Sequence, residues 1–201
     1  YYTLAMILSI ISFGLASTMT PGPNNIMLLS SGLTFGYRRT IPHALGINFG
    51  FPVMVICVGL GIGTLFEVFP FIYTLLKVAG IAYMVWMAWH IANTKGALDA
   101  ENKKDRPFTF FQAAMFQWVN PKAWMMAVTS TSAFITDHET APVQVVIISG
   151  IYFFCAFVST NSWSLGGVVL RRFIQNEKWV RGFNIAMAVL ILGAVVPFVF
   201  E

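Results

Sequence analysis

The sequence has few charged residues: Asp, Glu, Lys and Arg make up 10% of its 201 residues, whereas hydrophobic residues make up 57%. A soluble domain carries roughly a quarter charged residues, because its surface must be solvated. Twelve Lys and Arg with eight Asp and Glu are too few to cover a water-exposed globule of this size. This shortage argues against intrinsic disorder, a coiled coil and a soluble enzyme, and it predicts a protein whose solvent is lipid.

Cysteine, metal-binding and nucleic-acid-binding patterns are also scarce. The two cysteines, Cys57 and Cys155, lie in apolar segments and cannot form the disulfide framework of a small secreted domain. His43, His90 and His138 have no metal-ligand spacing, so we expect neither a metal site nor a cofactor. No basic patch is interleaved with exposed aromatic residues, which argues against a nucleic-acid partner.

Long runs with no charge, or with a single lysine, divide the chain. Because a membrane-crossing helix needs about 20 mostly apolar residues, each run is long enough to cross the bilayer. The sequence therefore predicts an all-α integral membrane protein. Its six predicted transmembrane helices lie near residues 3–20 (continuing as a broken segment to about 36), 44–66, 70–91, 109–132, 142–164 and 181–200.

The basic residues other than Lys77 and Lys122 all follow spans one, three and five. They are Arg38, Arg39, Lys95, Lys103, Lys104, Arg106, Arg171, Arg172, Lys178 and Arg181. Because cytoplasmic loops retain Lys and Arg, we expect these loops in the cytoplasm and both termini on the periplasmic side of a bacterial inner membrane. The N-terminal residues lack the basic leader of a signal peptide. The chain begins at Tyr1 rather than Met, so we expect a few residues to precede it.

Two spans contain helix-breaking sequences. One helix over residues 3–35 would be about 50 Å long, whereas the hydrocarbon core is roughly 30 Å thick. Residues 20–25 read Thr-Pro-Gly-Pro-Asn-Asn, and span four contains an Asn-Pro pair in which Asn120 suits a helix N-cap. Both spans are therefore predicted to be broken, with hinges at Pro21, Gly22, Pro23 and Pro121.

Matched breaks in spans one and four predict two inverted repeats of three helices in a single membrane domain covering residues 1–201. The repeats would cover about 1–92 and 107–201, joined by a cytoplasmic linker at about 93–106. The alternative is that the prolines only shape their helices. Broken helices are tolerated in lipid where the backbone groups that they release face protein or a water-filled cavity.

Lys77 and Lys122 fall inside predicted spans, where a lysine costs on the order of 3 kcal/mol. No Asp or Glu lies deep in a span to pair with them, and the N-termini of two half-helices add partial positive charge. These features predict a carboxylate-binding site near the middle of the membrane. Alternatively, each lysine extends to an interface, which is the stronger reading for Lys77. The candidate substrate-binding residues are Asn24, Asn25, Asn48, Lys77, Asn120 and Lys122.

Other polar and small residues are weaker candidates. Asn161 and Asn184 could line a cavity or form hydrogen bonds between helices. Gly46 and Gly50 give span two a smooth face that predicts close helix packing.

Several of these motifs together resemble the LysE/RhtB family of amino-acid exporters over nearly the whole chain. They are Thr20-Pro21-Gly22-Pro23-Asn24-Asn25, Gly36-Tyr37-Arg38-Arg39, Ala44-Leu45-Gly46 with Gly50, Lys77-x-x-Gly80-x-x-Tyr83 and Asn120-Pro121-Lys122-Ala123. The Pro-Gly-Pro-Asn-Asn form is most similar to the branch that exports cysteine and O-acetylserine.

The resemblance implies six spans in inverted repeats, outward secondary transport of amino acids coupled to protons, and a homodimer. Many relatives carry an acidic residue directly after Pro-Gly-Pro, where this chain has Asn24. This departure removes the most obvious intramembrane proton carrier.

The functional hypothesis is a non-enzymatic transporter that exports small amino acids or their derivatives by alternating access. Two alternatives follow from the same residues. One is a transmembrane thiol relay through Cys57 and Cys155, although their apolar surroundings do not favour a reactive thiolate. The other is a passive solute channel.

Overall fold

The computed structural model describes residues 2–93 and 106–200, and within these ranges the chain forms helices and no strand. The α-helices are α1 (Leu4–Met19), α2 (Pro23–Phe35), α3 (Tyr37–Gly59), α4 (Leu65–Val68), α5 (Pro70–Asn93), α6 (Phe110–Phe116), α7 (Pro121–Phe134), α8 (Ala141–Phe173) and α9 (Glu177–Val199). Short 3₁₀ turns cover Ile62–Thr64 and Gln117–Val119. Except for its end residues, the predicted linker at 93–106 lies outside the described residues, as do Lys95, Lys103 and Lys104.

Several helices are long and apolar enough to cross a membrane. Within the described ranges α3, α5, α8 and α9 each meet this requirement, and α1 with α2 forms a fifth candidate that is bent by 59°. The predicted fourth span is divided between α6, with 7 residues, and α7, with 14 residues. Each is shorter than the roughly 20 residues that one crossing needs. The chain is therefore an all-helical, multi-pass membrane protein.

The limits of α3 differ from the predicted span at 44–66, because the helix begins and ends earlier in the chain. Gly36 has a φ angle of 84° and separates α2 from α3, and Gly61, with a φ angle of 106°, follows the end of α3. Glycine adopts this left-handed backbone without steric cost. Arg38 and Arg39 fall in the first turn of α3, so the charge-free run was a poor guide to the helix limits.

The last two helices are also longer than predicted. α8 extends well beyond the predicted span at 142–164, and Arg171 and Arg172 lie in its last turn, where cations complement the helix dipole. α9 begins before the predicted span at 181–200, because the side chain of Asn176 caps it by accepting a hydrogen bond from a first-turn N–H.

Helix α8 lies at the centre of the packing, where it contacts α1, α2 and α3. Helix α5 packs along α9, and α3 packs against α6. The smooth face predicted at Gly46 and Gly50 is confirmed, because this face of α3 packs closely against α6. A Cβ atom on Gly46 would overlap the carbonyl oxygen of Phe110, and one on Gly50 would lie 2.7 Å from the Cα atom of Ala114.

We expect the substitution Gly46→Ala to destabilise the protein, because the added methyl group meets backbone atoms that cannot move independently. Overpacking of this kind costs about 1–3 kcal/mol. The measurement is the thermal unfolding midpoint in detergent. Gly150→Ala in α8 is the matched control, because a Cβ at Gly150 has no neighbour within 4 Å. Equal midpoints for the two variants would contradict the close α3–α6 packing.

Candidate functional site

The first helix break lies between α1 and α2, as predicted. Thr20 has extended backbone angles, with φ −65° and ψ 146°, and Gly22 is fully extended. Pro23 is the first residue of α2, where a missing N–H breaks no helical hydrogen bond. Pro21 lies exposed between the two helices. The chain therefore changes direction within a few residues and releases the last carbonyl groups of α1 from helical hydrogen bonding.

The second break follows the 3₁₀ turn after α6. Asn120 adopts an extended conformation, and its side-chain oxygen accepts a hydrogen bond from the backbone N–H of Lys122 at 3.1 Å. Pro121 is the first residue of α7. The predicted N-cap and first-turn proline are both confirmed, and α7 begins as a separate helix at Pro121.

Side chains satisfy the carbonyl groups that the first break releases. The Asn25 side-chain nitrogen donates to the Thr18 oxygen at 2.7 Å and to the Thr20 oxygen at 2.8 Å. The Ser159 hydroxyl of α8 also donates to the Thr18 oxygen, at 2.7 Å. The Ser159 hydroxyl is also 3.2 Å from the side-chain oxygen of Asn25. Asn25 is therefore held by the C-terminal end of α1 and by α8, and these contacts fix the geometry of the break. Ser159 was not among the residues predicted from the sequence.

Two tryptophans each donate to a carbonyl beside a break. The indole N–H of Trp163 donates to the Met19 oxygen at 3.2 Å, and the indole N–H of Trp124 donates to the Trp118 oxygen at 2.6 Å. Neither tryptophan was predicted from the sequence to contact a break. A tryptophan can pack its ring in an apolar environment while its single N–H meets a backbone acceptor.

The two breaks are in direct contact. The Nζ atom of Lys122 donates to the Thr20 carbonyl oxygen at 2.7 Å. The side-chain amides of Asn24 and Gln117 pair reciprocally, at 2.8 Å and 3.1 Å. The lysine stem crosses close to Gly22, because a Cβ atom there would lie 2.8 Å from the Cδ atom of Lys122. A side chain at residue 22 would therefore displace the lysine of the other break from its path.

A small cavity of about 30 Å³ lies where the breaks meet. Four of the six predicted substrate-binding residues line it, namely Asn24, Asn25, Asn120 and Lys122. Among its lining residues Lys122 carries the only charge. The lining residues are Thr18, Asn24, Asn25, Ile47, Phe51, Asn120, Lys122, Met126, Ala156, Ser159 and Thr160.

The structure places the other two predicted residues away from this cavity. Asn48 is buried behind it, where its side-chain oxygen accepts a hydrogen bond from Thr160 at 3.0 Å. Lys77 lines a separate, larger cavity of about 390 Å³ between α5 and α7, together with Pro121 and mostly apolar side chains. Asn48 therefore reaches the site through a neighbour, whereas Lys77 does not reach it.

The weaker asparagine candidates form hydrogen bonds between helices. The side-chain oxygen of Asn161 accepts from the Tyr37 hydroxyl at 2.5 Å. Buried Asn184 accepts from the Ser30 hydroxyl at 2.5 Å and donates to the Thr34 hydroxyl at 3.0 Å, which joins α9 to α2.

Neither cysteine forms a disulfide, and neither lines the cavity at the breaks. Cys155 is buried, with its sulfur 3.9 Å from the Ile11 carbonyl oxygen and close to Gly14. Cys57 is half-buried. Cys155 therefore packs as a small apolar side chain between α8 and α1.

Sequence reasoning missed Gln117, which is fully buried and also donates to the Ala113 carbonyl at 2.9 Å. The available signal was its amide in an otherwise apolar run, three residues before Asn120. A buried amide in a membrane needs a partner, but the sequence does not say that the partner is Asn24.

We expect the Asn24–Gln117 pair to couple the two breaks energetically. Asn24→Ala leaves the buried Gln117 side-chain oxygen without its donor, which costs about 1–3 kcal/mol, and Gln117→Ala leaves the half-buried Asn24 amide without its partner. The double variant should therefore lose clearly less stability than the sum of the single losses, as measured by unfolding in detergent. Ser162→Ala combined with Gln117→Ala is the control, because exposed Ser162 bonds within its own helix and the two losses should add. Additive losses for Asn24 and Gln117 would contradict the pairing.

Comparison with known proteins identifies the family. Residues 15–201 match the family model described as LysE type translocator. The cysteine/O-acetylserine efflux proteins of Escherichia coli O139:H28 (strain E24377A / ETEC) and of Escherichia coli (strain K12) are each 33% identical to this chain over 182 residues. Each alignment covers 90% of this chain and 91% of the relative. No solved structure matches the chain.

These matches confirm the resemblance that the break motifs indicate in the sequence. The relatives are efflux proteins rather than enzymes. Their alignments cover 90% of this chain, and the family match at residues 15–201 includes both breaks. The chain belongs to the LysE family of translocators.

Proposed function

We propose that this protein exports small amino acids or their derivatives from the bacterial cytoplasm as a secondary transporter of the inner membrane. The observation that carries the proposal is the cavity at the two breaks, which combines one cation with several amide groups. The names of the relatives, which are cysteine/O-acetylserine efflux proteins, support a substrate of this size and chemistry.

Lys122 and the N-terminus of α7 would hold the substrate carboxylate. The first-turn N–H groups of a helix have no partner within the helix and carry partial positive charge. Helices α2 and α7 both begin at this cavity, and Asn24, Asn25 and Asn120 would bind the remaining polar groups of the substrate. Asn48 would support the site through Thr160, and a role for Lys77 would require movement of α5 or α7.

The size of the cavity supports alternating access. One water needs roughly 10–15 Å³ of such space, so about 30 Å³ admits two waters but no amino acid. Substrate binding would therefore require a wider state. The extended residues at Pro21, Gly22 and Pro23 and the start of α7 at Pro121 would act as the hinges between states.

We further propose six membrane crossings arranged as inverted repeats, with α6 and α7 together as the fourth crossing. Helix contacts support a two-fold relation, because α6 packs on α3 as α1 packs on α8, and α7 contacts α3 as α2 contacts α8. The distribution of basic residues supports cytoplasmic loops after crossings one, three and five, and periplasmic termini. Proton coupling and a homodimer are part of this proposal through the family resemblance.

Reconstituted protein should transport labelled L-cysteine or O-acetyl-L-serine, and Lys122→Met should lower kcat/KM by about tenfold or more, because a charge-assisted hydrogen bond contributes about 1.5–3 kcal/mol. Lys178→Met, which removes an exposed lysine at the start of α9, is the control and should transport normally. If Lys122→Met transports as well as the parent protein, the carboxylate role of this lysine is wrong.

A pH gradient tests the driving force in the same vesicles. With an acidic interior, labelled substrate should accumulate above its external concentration, and a proton ionophore should abolish the accumulation. A passive channel would only equilibrate the substrate.

Replacement of both cysteines by alanine tests the thiol relay, because a relay would lose its activity without them. We expect the Cys57→Ala/Cys155→Ala variant to accumulate substrate as the parent protein does.

A further inference from the structure

The Lys122 ammonium group occupies a position that is chemically suited to a second cation. Its hydrogen-bond partner is the backbone carbonyl of Thr20, the C-cap residue of α1. The C-terminus of a helix carries a partial negative charge, which attracts a cation. Thr20 is an exposed residue and its hydrogen bond with Lys122 is exposed as well, so a molecule from outside the packed core can approach this bond. A primary ammonium is therefore held at an acceptor that an amino-acid ammonium could also use.

The Thr20 oxygen has no capacity for an additional donor. A carbonyl oxygen has two lone pairs, and here one accepts from Asn25 at 2.8 Å and the other from Lys122 at 2.7 Å. An incoming ammonium must replace one of them. Asn25 is fixed by further contacts to Thr18 and Ser159, whereas Lys122 has a long flexible stem. Lys122 is therefore the donor that can leave.

The Lys122 side chain, which bonds the Thr20 carbonyl, also lines the cavity at the breaks, so this cavity presents donors for an anion near that carbonyl. Helices α2 and α7 begin at this cavity, and Thr18 in the last turn of α1 lines it. A site with opposite helix ends side by side is complementary to a zwitterion, whose ammonium and carboxylate are separated by a single carbon atom. Among the lining residues Lys122 is the only titratable side chain, so no other charged side chain alters the arrangement of helix ends.

Titratable side chains on the neighbouring helices face elsewhere. Cys155 of α8 faces α1, and Tyr152 packs its ring on Phe51. His43 of α3 packs against Phe108, and Lys77 of α5 lines the separate cavity. None of these four residues lines the cavity at the breaks, so Lys122 is the group whose displacement matters for substrate binding.

We propose that the Thr20 carbonyl is the binding point for the substrate α-ammonium group, and that Lys122 occupies this point in the empty protein. The substrate ammonium displaces the Lys122 ammonium, which then pairs with the substrate carboxylate. This inference rests on the proposed function and narrows the substrate class to molecules with both an unmodified α-ammonium and a carboxylate. It also links binding to movement, because the displaced bond is one that ties α7 to the end of α1.

Three ligands of purified protein in detergent test the exchange: L-cysteine, cysteamine, which lacks the carboxylate, and 3-mercaptopropionate, which lacks the ammonium. In the parent protein, L-cysteine should bind about tenfold or more tightly than either analogue, since each analogue loses one charge-assisted contact. Binding of 3-mercaptopropionate as tight as that of L-cysteine would overturn the ammonium site.

Variants separate competition by Lys122 from its attraction for the carboxylate. In Lys122→Met, L-cysteine should bind more weakly but cysteamine about threefold or more tightly, because the lysine no longer competes for the Thr20 carbonyl. Gly22→Ala keeps the lysine but places a methyl group 2.8 Å from its Cδ atom, and it should also improve cysteamine binding. It serves as the second test if Lys122→Met does not fold.

Cysteamine binding that stays unchanged, weakens or is undetectable in these variants would overturn the exchange. A different result would count against the proposed function alone: cysteamine binding improves in the variants, yet the parent protein does not transport L-cysteine or O-acetyl-L-serine in vesicles. Thermal stabilisation of each purified variant by each ligand is the binding measurement, and Lys178→Met is the control that should match the parent protein.

Discussion

Carbonyl groups at the end of α1 impose the constraint on which the rest of this structure depends. Lipid offers no donor to a backbone acceptor, so each one released by a helix break in a membrane protein needs a donor from the protein or from water in a cavity. Donors come from three other helices: Asn25 of α2, Lys122 of α7, and Ser159 and Trp163 of α8. These hydrogen bonds therefore hold α2, α7 and α8 around the end of α1.

The same requirement supplies the groups on which the proposed function depends. A continuous helix in this place would present apolar side chains and no backbone groups, whereas the broken helices present one C-terminus and two N-termini to a common cavity. Hydrogen bonds that complete this arrangement differ in their freedom to exchange. The reciprocal Asn24–Gln117 amide pair joins the two breaks through two bonds, but Lys122 contributes one bond through a flexible stem. Ligand exchange is expected at the lysine.

Local sequence rules account for much of the site and part of the fold. Pro23 and Pro121 mark the start of a helix because proline suits a first turn, and Asn120 suits the N-cap before it, so both breaks were predictable. The start of α3 and the end of α8 were not, because charged residues at helix ends interrupt apolar runs without ending the helix. Gln117 could not be paired with Asn24, since partners so far apart in sequence leave no local pattern.

The most direct measurement of the central claim is a cross-link between the two breaks in native membranes. In a background without cysteines, Asn24→Cys and Gln117→Cys should be joined efficiently by a short bifunctional thiol reagent, because the native side chains are in hydrogen-bond contact. Asn24→Cys with Met125→Cys, on the exposed side of α7, should not be joined. Equal yields for the two pairs, or no cross-link between Asn24→Cys and Gln117→Cys, would contradict the meeting of the breaks.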